Sequence, residues 1–556
     1  GRVQRITAPE NNYTIFAYDA RGNVTSQTRY AKSGSGLSAI TTSATYPTSC
    51  TNQKTCNKPT STTDARGKVT NYTYSATHGG LTKVELPAPS GSGARPTVNI
   101  VYTTTQARYL TGASTWSNSP NIYVQSTATT CKTAATCAGT ANELVVSSTY
   151  PSTSLANNAL PSSVTQKAGN NTLTQTTAIT YDDLGNVASV DGPLSGTGDT
   201  AVAFYNDARQ PTGRIGPSDG TNPYPAQRIT YDSAGRAYKQ EQGTVTAQTE
   251  AALASMTLLG SSETTFDSYG RPVKSVVKGS TGTTFSLAQT SYDTSSRVDC
   301  VALRMNPATY NSLPSSACTL GTAGSYGPDR IVKNTYDSLD RITARTSGYG
   351  TAIAANEFAL TFTSNGQVAT ATDGEGNKTT YEYDGHDRNV KVRYPNPTQG
   401  AGTSSTTDYE QYGFDANGNV TSLRTRLGST LTYTYDYLNR LTVKTVPDGN
   451  GLASSATRDV YYTYDLASNL LSARFDSTSG QGNIFTYDAF GHPLTESITL
   501  GGVTRTLTSG YASTGRRSTL TFPDSQVVTY HGDTLDRFDF ASMNYPASDH
   551  FLFQLE

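Results

Sequence analysis

The stretch Tyr433-Thr434-Tyr435-Asp436-Tyr437-Leu438-Asn439-Arg440-Leu441 carries the grammar of the whole chain. Read outward from it, one phrase keeps returning. It runs aromatic, any residue, aromatic, Asp, two variable residues, then Gly, Asn, Asp or Ser, then Arg or Asn, then Val, Leu or Ile. Copies stand at Tyr18-Asp19-Ala20-Arg21-Gly22-Asn23-Val24, Tyr181-Asp182-Asp183-Leu184-Gly185-Asn186-Val187 and Phe414-Asp415-Ala416-Asn417-Gly418-Asn419-Val420. Others begin at Tyr231-Asp232, Phe266-Asp267, Tyr292-Asp293, Tyr336-Asp337, Tyr383-Asp384, Tyr464-Asp465 and Tyr487-Asp488. Self-similarity at spacings of tens of residues marks a repeat architecture.

Each phrase has the chemistry of a β-hairpin. Aromatics two apart share one face of a strand, as in Tyr72/Tyr74, Tyr381/Tyr383 and Tyr462/Tyr464. The Asp carboxylate can accept from backbone N–H groups two residues on and so begin a turn. Gly accepts φ > 0 and closes a three-residue loop with a bulge. Asn439, Asp340, Asp387, Asp536, Ser296 and Ser468 occupy the same slot. Asn and Asp are the residues that best tolerate that conformation after Gly, and Ser fits less well. The predicted turn set is therefore Asp19 with Gly22, Asp182 with Gly185, Asp232 with Gly235, Asp267 with Gly270, Asp415 with Gly418, Asp436 with Asn439, and Asp488 with Gly491. Spacing between phrases is irregular, which predicts strand pairs joined by loops of variable length and stacked into one long sheet.

Composition agrees with an extended, half-solvated β surface. The chain has 556 residues, 35% hydrophobic and 15% charged, with a net charge of -1. Weak hydrophobicity without high net charge does not predict disorder. The 36 tyrosines supply large contact area with a polar tip. Near-neutral charge argues against nucleic acid, which calls for concentrated Lys and Arg. No apolar run approaches the roughly 18 residues of a membrane span. No signal peptide opens the chain, although Gly1-Arg2-Val3 reads as the second half of a repeat, so the sequence is expected to be a piece of a larger protein.

The six cysteines fall into local pairs, Cys50/Cys56, Cys131/Cys137 and Cys300/Cys318. Local disulfides are the preferred reading, and free thiols in a cytosolic protein are the alternative. Bonded pairs imply an oxidising location. Zinc is not expected, because CxxC pairs and neighbouring His are absent. Residues 1–175 read as an irregular repeat region with two short Cys-closed loops, and 176–556 as a dense repeat region. The longest interruptions are near 301–328 and 395–410. One helix is predicted, from Thr249 to Leu259, with Leu253 and Met256 on one face.

The phrase Tyr-x-Tyr-Asp-x-x-Gly-Arg-Leu resembles the YD repeat of the RHS family, which includes bacterial RHS proteins, the C-component shells of insecticidal toxin complexes, and the teneurins. The resemblance covers nearly the whole chain. It implies an all-β fold, a long antiparallel sheet of YD-repeat hairpins spiralling into a hollow shell, cocoon or tube. It implies a secreted or surface bacterial protein whose partner is an enclosed polypeptide such as a toxin, with no enzyme activity, cofactor or metal. Many members carry a self-cleaving core with an Asp-Pro-x-Gly junction. This sequence shows no such junction, and it ends at Phe551-Leu552-Phe553-Gln554-Leu555-Glu556 without a toxin domain.

Other chemistry reads weakly. His78, His386, His492, His531 and His550 are scattered and are expected as exposed turn residues. Asp373-Gly374-Glu375-Gly376-Asn377 crowds oxygen ligands but lacks the spacing of an EF-hand. Arg236, Arg271, Arg341, Arg388, Arg440 and Arg537 could bind acidic ligands, but more readily cover aromatic rings. Neither a Gly-x-Ser-x-Gly elbow nor a Gly-Lys-Ser/Thr loop is present. The Asn23-Val24-Thr25 sequon arises from the repeat itself. The tyrosine ladder could stack on glycans, though packing between strands is favoured. Two further functions stay open: a tube or filament built of copies of the chain through unpaired strand edges, and a glycan-binding or cell-contact module.

Overall fold

The computed structural model describes residues 1–112, 115–449, 456–545 and 548–554. It is all-β and antiparallel, with one short α-helix among the described residues. The chain divides into two compact units. The first comprises Gly1–Thr200, Asp384–Arg388 and Gln411–Glu556, and the second comprises Ala201–Tyr383 and Asn389–Glu410.

Within each unit the strands follow one another as a meander. In the second unit, Ala201–Tyr205 pairs with Pro211–Ile215, which pairs with Tyr224–Tyr231, and the ladder continues through Ala237–Val245, Thr257–Phe266, Pro272–Gly279 and Thr284–Tyr292. It runs on through Val298–Leu303 and Arg330–Tyr336. The first unit holds two such runs, one through the N-terminal strands and one from Val420–Arg424 to Ser548–Gln554. Some strands are half-buried throughout, as in Leu441–Thr445 and Asn389–Pro395, and others alternate half-buried and exposed positions, as in Thr430–Tyr435.

Compact apolar clusters form in the second unit, where a connection folds back over the sheet. Leu253 of the helix packs with Ile215, Ala226 and Val245. Cys300, Ala302, Ala317 and Ile331 form another cluster beneath residues 304–329. That connection is nailed down by Arg304, buried against Asp329 at 2.6 Å and bonded to the carbonyls of Thr319 and Ser316.

Two sequence expectations need correction here. The helix is only Glu250–Ala254, capped by Thr249, and a strand begins at Thr257. Arg228 donates to the carbonyls of Leu253 and Ala254, which ends the helix, and Thr257-Leu258-Leu259 joins the neighbouring ladder instead. Met256 still packs against Leu253's cluster, but from outside the helix. The interruption near 395–410 is a connection only in its first part, because the strand Ser404–Phe414 occupies the rest.

Candidate functional site: the repeat turn and its neighbours

One repeat shows how the turn is made. The Asp436 backbone N–H donates to the Arg440 carbonyl and the Asn439 N–H to the Asp436 carbonyl. Asp436 Oδ1 accepts from the N–H groups of Leu438 at 2.8 Å and Arg440 at 3.0 Å. Asp436 Oδ2 accepts from Arg440 Nε at 2.7 Å. Asn439 sits at φ 62, and the pairing slips by one residue between Thr434 and Tyr435, which is the bulge. One carboxylate thus satisfies three donors that the reversal would otherwise strand.

The same geometry recurs at the other predicted turns. Asp19 and Asp182 receive the side-chain amides of Asn23 and Asn186, and Asp415 that of Asn419. Asp232 and Asp267 receive Arg236 and Arg271. Asp488 receives His492 Nδ1 at 2.9 Å. Gly22, Gly185, Gly235, Gly270, Gly418 and Gly491 all lie at positive φ. The donors matter electrostatically. The Arg236 side chain, then its backbone N–H, hold Asp232 below the ordinary 3.8. Asn377 does the same for Asp373, whose carboxylate is taken up by its own turn.

Side chains then tie each repeat to the next. Arg236 lies over Phe266, Arg271 over Tyr292, Arg297 over Tyr336, and Arg440 over Tyr464, with 4.3–4.8 Å from guanidinium carbon to ring centre. In the other direction the tyrosine before the Asp donates its hydroxyl to the preceding repeat. Tyr435 reaches the Val420 carbonyl at 2.8 Å, Tyr292 that of Pro272 at 2.9 Å, and Tyr487 that of Leu470 at 2.9 Å. Tyr18 bonds the Val3 carbonyl in the same way. Burial raises the pKa values of Tyr435, Tyr464 and Tyr487.

Sequence reasoning missed several turns. Asn206, Thr363, Thr425 and Ala512 begin the same reversal without an Asp. Asn206 Oδ1 substitutes directly, accepting from Ala208 and Gln210. The usable signal was an aromatic just before, as at Tyr205, Phe362 and Tyr511, together with a residue of positive φ three positions on. The histidines also differ from expectation. His78 stacks between Tyr102 and Tyr123, and His531 lies flat on Phe540 and bonds Ser542. These rings are wedged among strand aromatics, so they are not exposed turn residues. The side chain of His550 is outside the described residues. Asn23, of the sequon, spends its amide on Asp19 and Asn57.

The cysteines are bonded as Cys50–Cys56, Cys131–Cys137 and Cys300–Cys318. Lys132, inside the second loop, donates to the carbonyls of Tyr487 and Asp488, and burial lowers its pKa.

Lys132 belongs to a seam inside the first unit, where N-terminal turns meet C-terminal turns. Arg66 donates to the carbonyls of Tyr435 and Asp436 and to Asn439 Oδ1, and pairs with Asp415 at 3.5 Å. Asn417 returns a bond to Asp64 at 2.7 Å. Lys68 sits 3.3 Å over the Tyr437 ring. Lys32 bridges Glu10 and Asp387, and Asp387 also accepts from Asn12.

The RHS repeat family matches residues 362–399 and 414–450. No curated protein matches the chain. Among solved structures, the chain is similar to the Tc holotoxin pore of Photorhabdus luminescens, with 11% identity over 96% of this chain and a TM-score of 0.46. It is also similar to a TcdB2-TccC3-Cdc42 structure, with 11% identity over 97% of this chain and a TM-score of 0.32. The chain spans 29% and 31% of the lengths of those two chains.

Proposed function

Because this chain carries repeats of the RHS family, we propose that it acts as a structural wall outside the bacterial cell, without catalysis, enclosing or scaffolding a polypeptide such as a toxin. The seam of the first unit is the observation that carries this reading. Turns 370 residues apart are joined through Arg66, and others through Lys32 and Lys132. Edges that interlock in this way make a wall that holds itself in place without a ligand. The turn carboxylates support a structural role, since their oxygens are occupied by the reversal. Three disulfides suit an oxidising exterior.

Co-expression with a small reporter polypeptide, followed by protease challenge and electron microscopy, tests the proposal. Closed particles with a protected reporter are expected. Tubes would instead favour assembly through strand edges. Glycan-array binding that disappears when outward tyrosines are replaced would favour a cell-contact module.

A further inference from the structure

At one place the seam of the first unit passes through a disulfide loop. Cys131 ends the strand Ile122–Cys131, and its bond to Cys137 encloses Lys132-Thr133-Ala134-Ala135-Thr136. Lys132 docks on two successive turns of the C-terminal run. Its carbonyl accepts from the Leu466 N–H at 2.8 Å, and its Nζ donates to the carbonyls of Tyr487 at 2.6 Å and Asp488 at 2.9 Å. The other two disulfides are placed differently. Within the Cys50–Cys56 loop, Asn52 and Lys54 bond the nearby carbonyls of Ala76 and Thr77. Cys300–Cys318 lies at the apolar cluster beneath residues 304–329.

Two features make the Lys132 dock depend on its disulfide. The first is how the connection is held. Between Cys131 and Glu143 the chain reads Lys-Thr-Ala-Ala-Thr-Cys-Ala-Gly-Thr-Ala-Asn, without a large apolar side chain to pin it. Its second half is fixed, because Thr140 donates through its N–H and Oγ1 to the Cys137 carbonyl, and the Glu143 carboxylate accepts from the Gly139 N–H. The disulfide passes that anchorage to the first half, where Thr133, Ala135 and Thr136 are exposed. The second feature is electrostatic. The Lys132 ammonium is half-buried against carbonyls, while the carboxylates of Asp465 and Asp488 are taken up by Asn469 and His492. Burial pushes the Lys132 pKa down, and those two carboxylates oppose it more weakly. A cation held partly out of water returns to solvent once the loop that carries it is loosened. Access favours the same bond. Cys131 and Cys137 are both half-buried, whereas Cys56 is 2% exposed and Cys300 is fully buried.

We propose that the Cys131–Cys137 disulfide is a redox latch on the seam. Oxidised, it holds Lys132 on the turns at Asp465 and Asp488. Reduced, it lets that stretch of the seam open. The reductant is a thiol. One thiolate attacks a cysteine sulfur and displaces the other cysteine. A second thiolate then attacks the reductant's sulfur in the mixed disulfide and displaces the first cysteine. The reductant leaves as its own disulfide, and the protons it gave up end on Cys131 and Cys137. Arg66 and Lys32 lie outside the disulfide loops and keep their bonds, so the opening is local. The biological use of the latch rests on the exterior wall proposed above, bonded outside the cell and loosened in a reducing compartment.

Amide exchange and amine labelling of the whole chain, read by mass spectrometry with and without dithiothreitol, test the proposal. Under mild reduction Cys131 and Cys137 become open to alkylation before Cys300 and Cys318. As they do, exchange at the Leu466 amide and acetylation of Lys132 by a succinimidyl ester should each rise about tenfold. The Tyr437 amide, which donates to the Pro89 carbonyl elsewhere in the seam, stays protected. Cys131→Ser with Cys137→Ser gives the same pattern without reductant, and Cys50→Ser with Cys56→Ser leaves Leu466 and Lys132 unchanged. Circular dichroism reports the fold of each variant, and reduction of the unsubstituted chain decides the matter if a variant does not fold. Four results would overturn the proposal: reduction of Cys300–Cys318 first, unchanged Leu466 exchange and Lys132 acetylation once Cys131 and Cys137 are alkylated, equal loss of protection at Tyr437, or the same rise with Cys50→Ser and Cys56→Ser. None of these outcomes depends on whether the wall encloses a polypeptide.

Discussion

The two units use the same hairpin and stabilise it differently. In the first, several turn tips are engaged: Arg66, Asn417 and His386 bond across to residues distant in the chain, and few side chains are fully buried. In the second, turns bond to the next turn along, as Arg271 does to Ser296 and Arg297 to Asp340, and connections fold over the sheet, bringing Leu253 and Ala317 into apolar clusters. A half-solvated sheet buries too little apolar surface by itself, so each unit needs a second layer. One obtains it from residues distant in the chain and the other from its own loops. The repeat therefore specifies the hairpin, while the residues around it specify what the hairpin rests on.

Acid should test this contrast most severely, because it acts on many repeats at once. Asp232, Asp293 and Asp373 of the second unit are held below 3.8 when folded, by Arg236, Arg297 and Asn377 respectively. A carboxyl that is more acidic folded than unfolded stabilises fully above the unfolded value. That stabilisation is lost as pH falls through the folded value. Protection factors at these turn amides, with the intrinsic pH dependence of exchange divided out, should thus be flat above about pH 4 and fall below it. A fall in protection beginning well above pH 5 would contradict the assignment.

Among single substitutions, Arg304→Ala should cost most. It leaves Asp329 buried without its cation, a loss of about 3–5 kcal/mol measured by denaturant unfolding. Next comes a matched pair. Arg66→Ala removes bonds to Tyr435, Asp436 and Asn439 in the seam and should cost about 2 kcal/mol. Arg297→Ala removes bonds to Asp293, to the Asp337 carbonyl and to Asp340 at a more solvated site and should cost less. Equal costs would erase the distinction between the two units.

The smallest effects come from the positions of positive φ. Ser296→Gly, at φ 66, relieves a conformation that disfavours side chains but gives up the bond from Arg271 Nη1 to Ser296 Oγ, and should leave stability within about 0.5 kcal/mol of the unsubstituted chain. Asn439→Gly at φ 62 should instead destabilise by about 1 kcal/mol, because Asn439 Oδ1 accepts from Arg66, Asn417 and Asn419. Thermal unfolding resolves both changes.

The hairpin was legible in sequence because its determinants are local. An Asp, a residue that tolerates positive φ and flanking aromatics lie within one short phrase, and Asp436 with Asn439 shows each in place. Less visible was why the aromatic is so often tyrosine. The hydroxyl's partner, such as the Val420 carbonyl for Tyr435, belongs to the preceding repeat. The Arg–Asp bond four residues apart was also missed, although its spacing is constant. The seam could not be read at all. Arg66 and Asp436 are ordinary repeat residues, and only the path of the chain brings them together. The helix was overextended because Thr257 and its neighbours gain more from a strand partner than from another helical turn.

The tyrosine hydroxyl and the arginine stack both reach one repeat and no further. A chain built from such links has no fixed stopping point. Removing one whole hairpin deletes two junctions and creates one of the same kind, leaving its neighbours able to rejoin. Length can then change by duplication or loss in whole-hairpin steps, while the connections on the opposite edge vary freely. The reach of a single phenol ring thereby sets the smallest increment by which such a protein can grow.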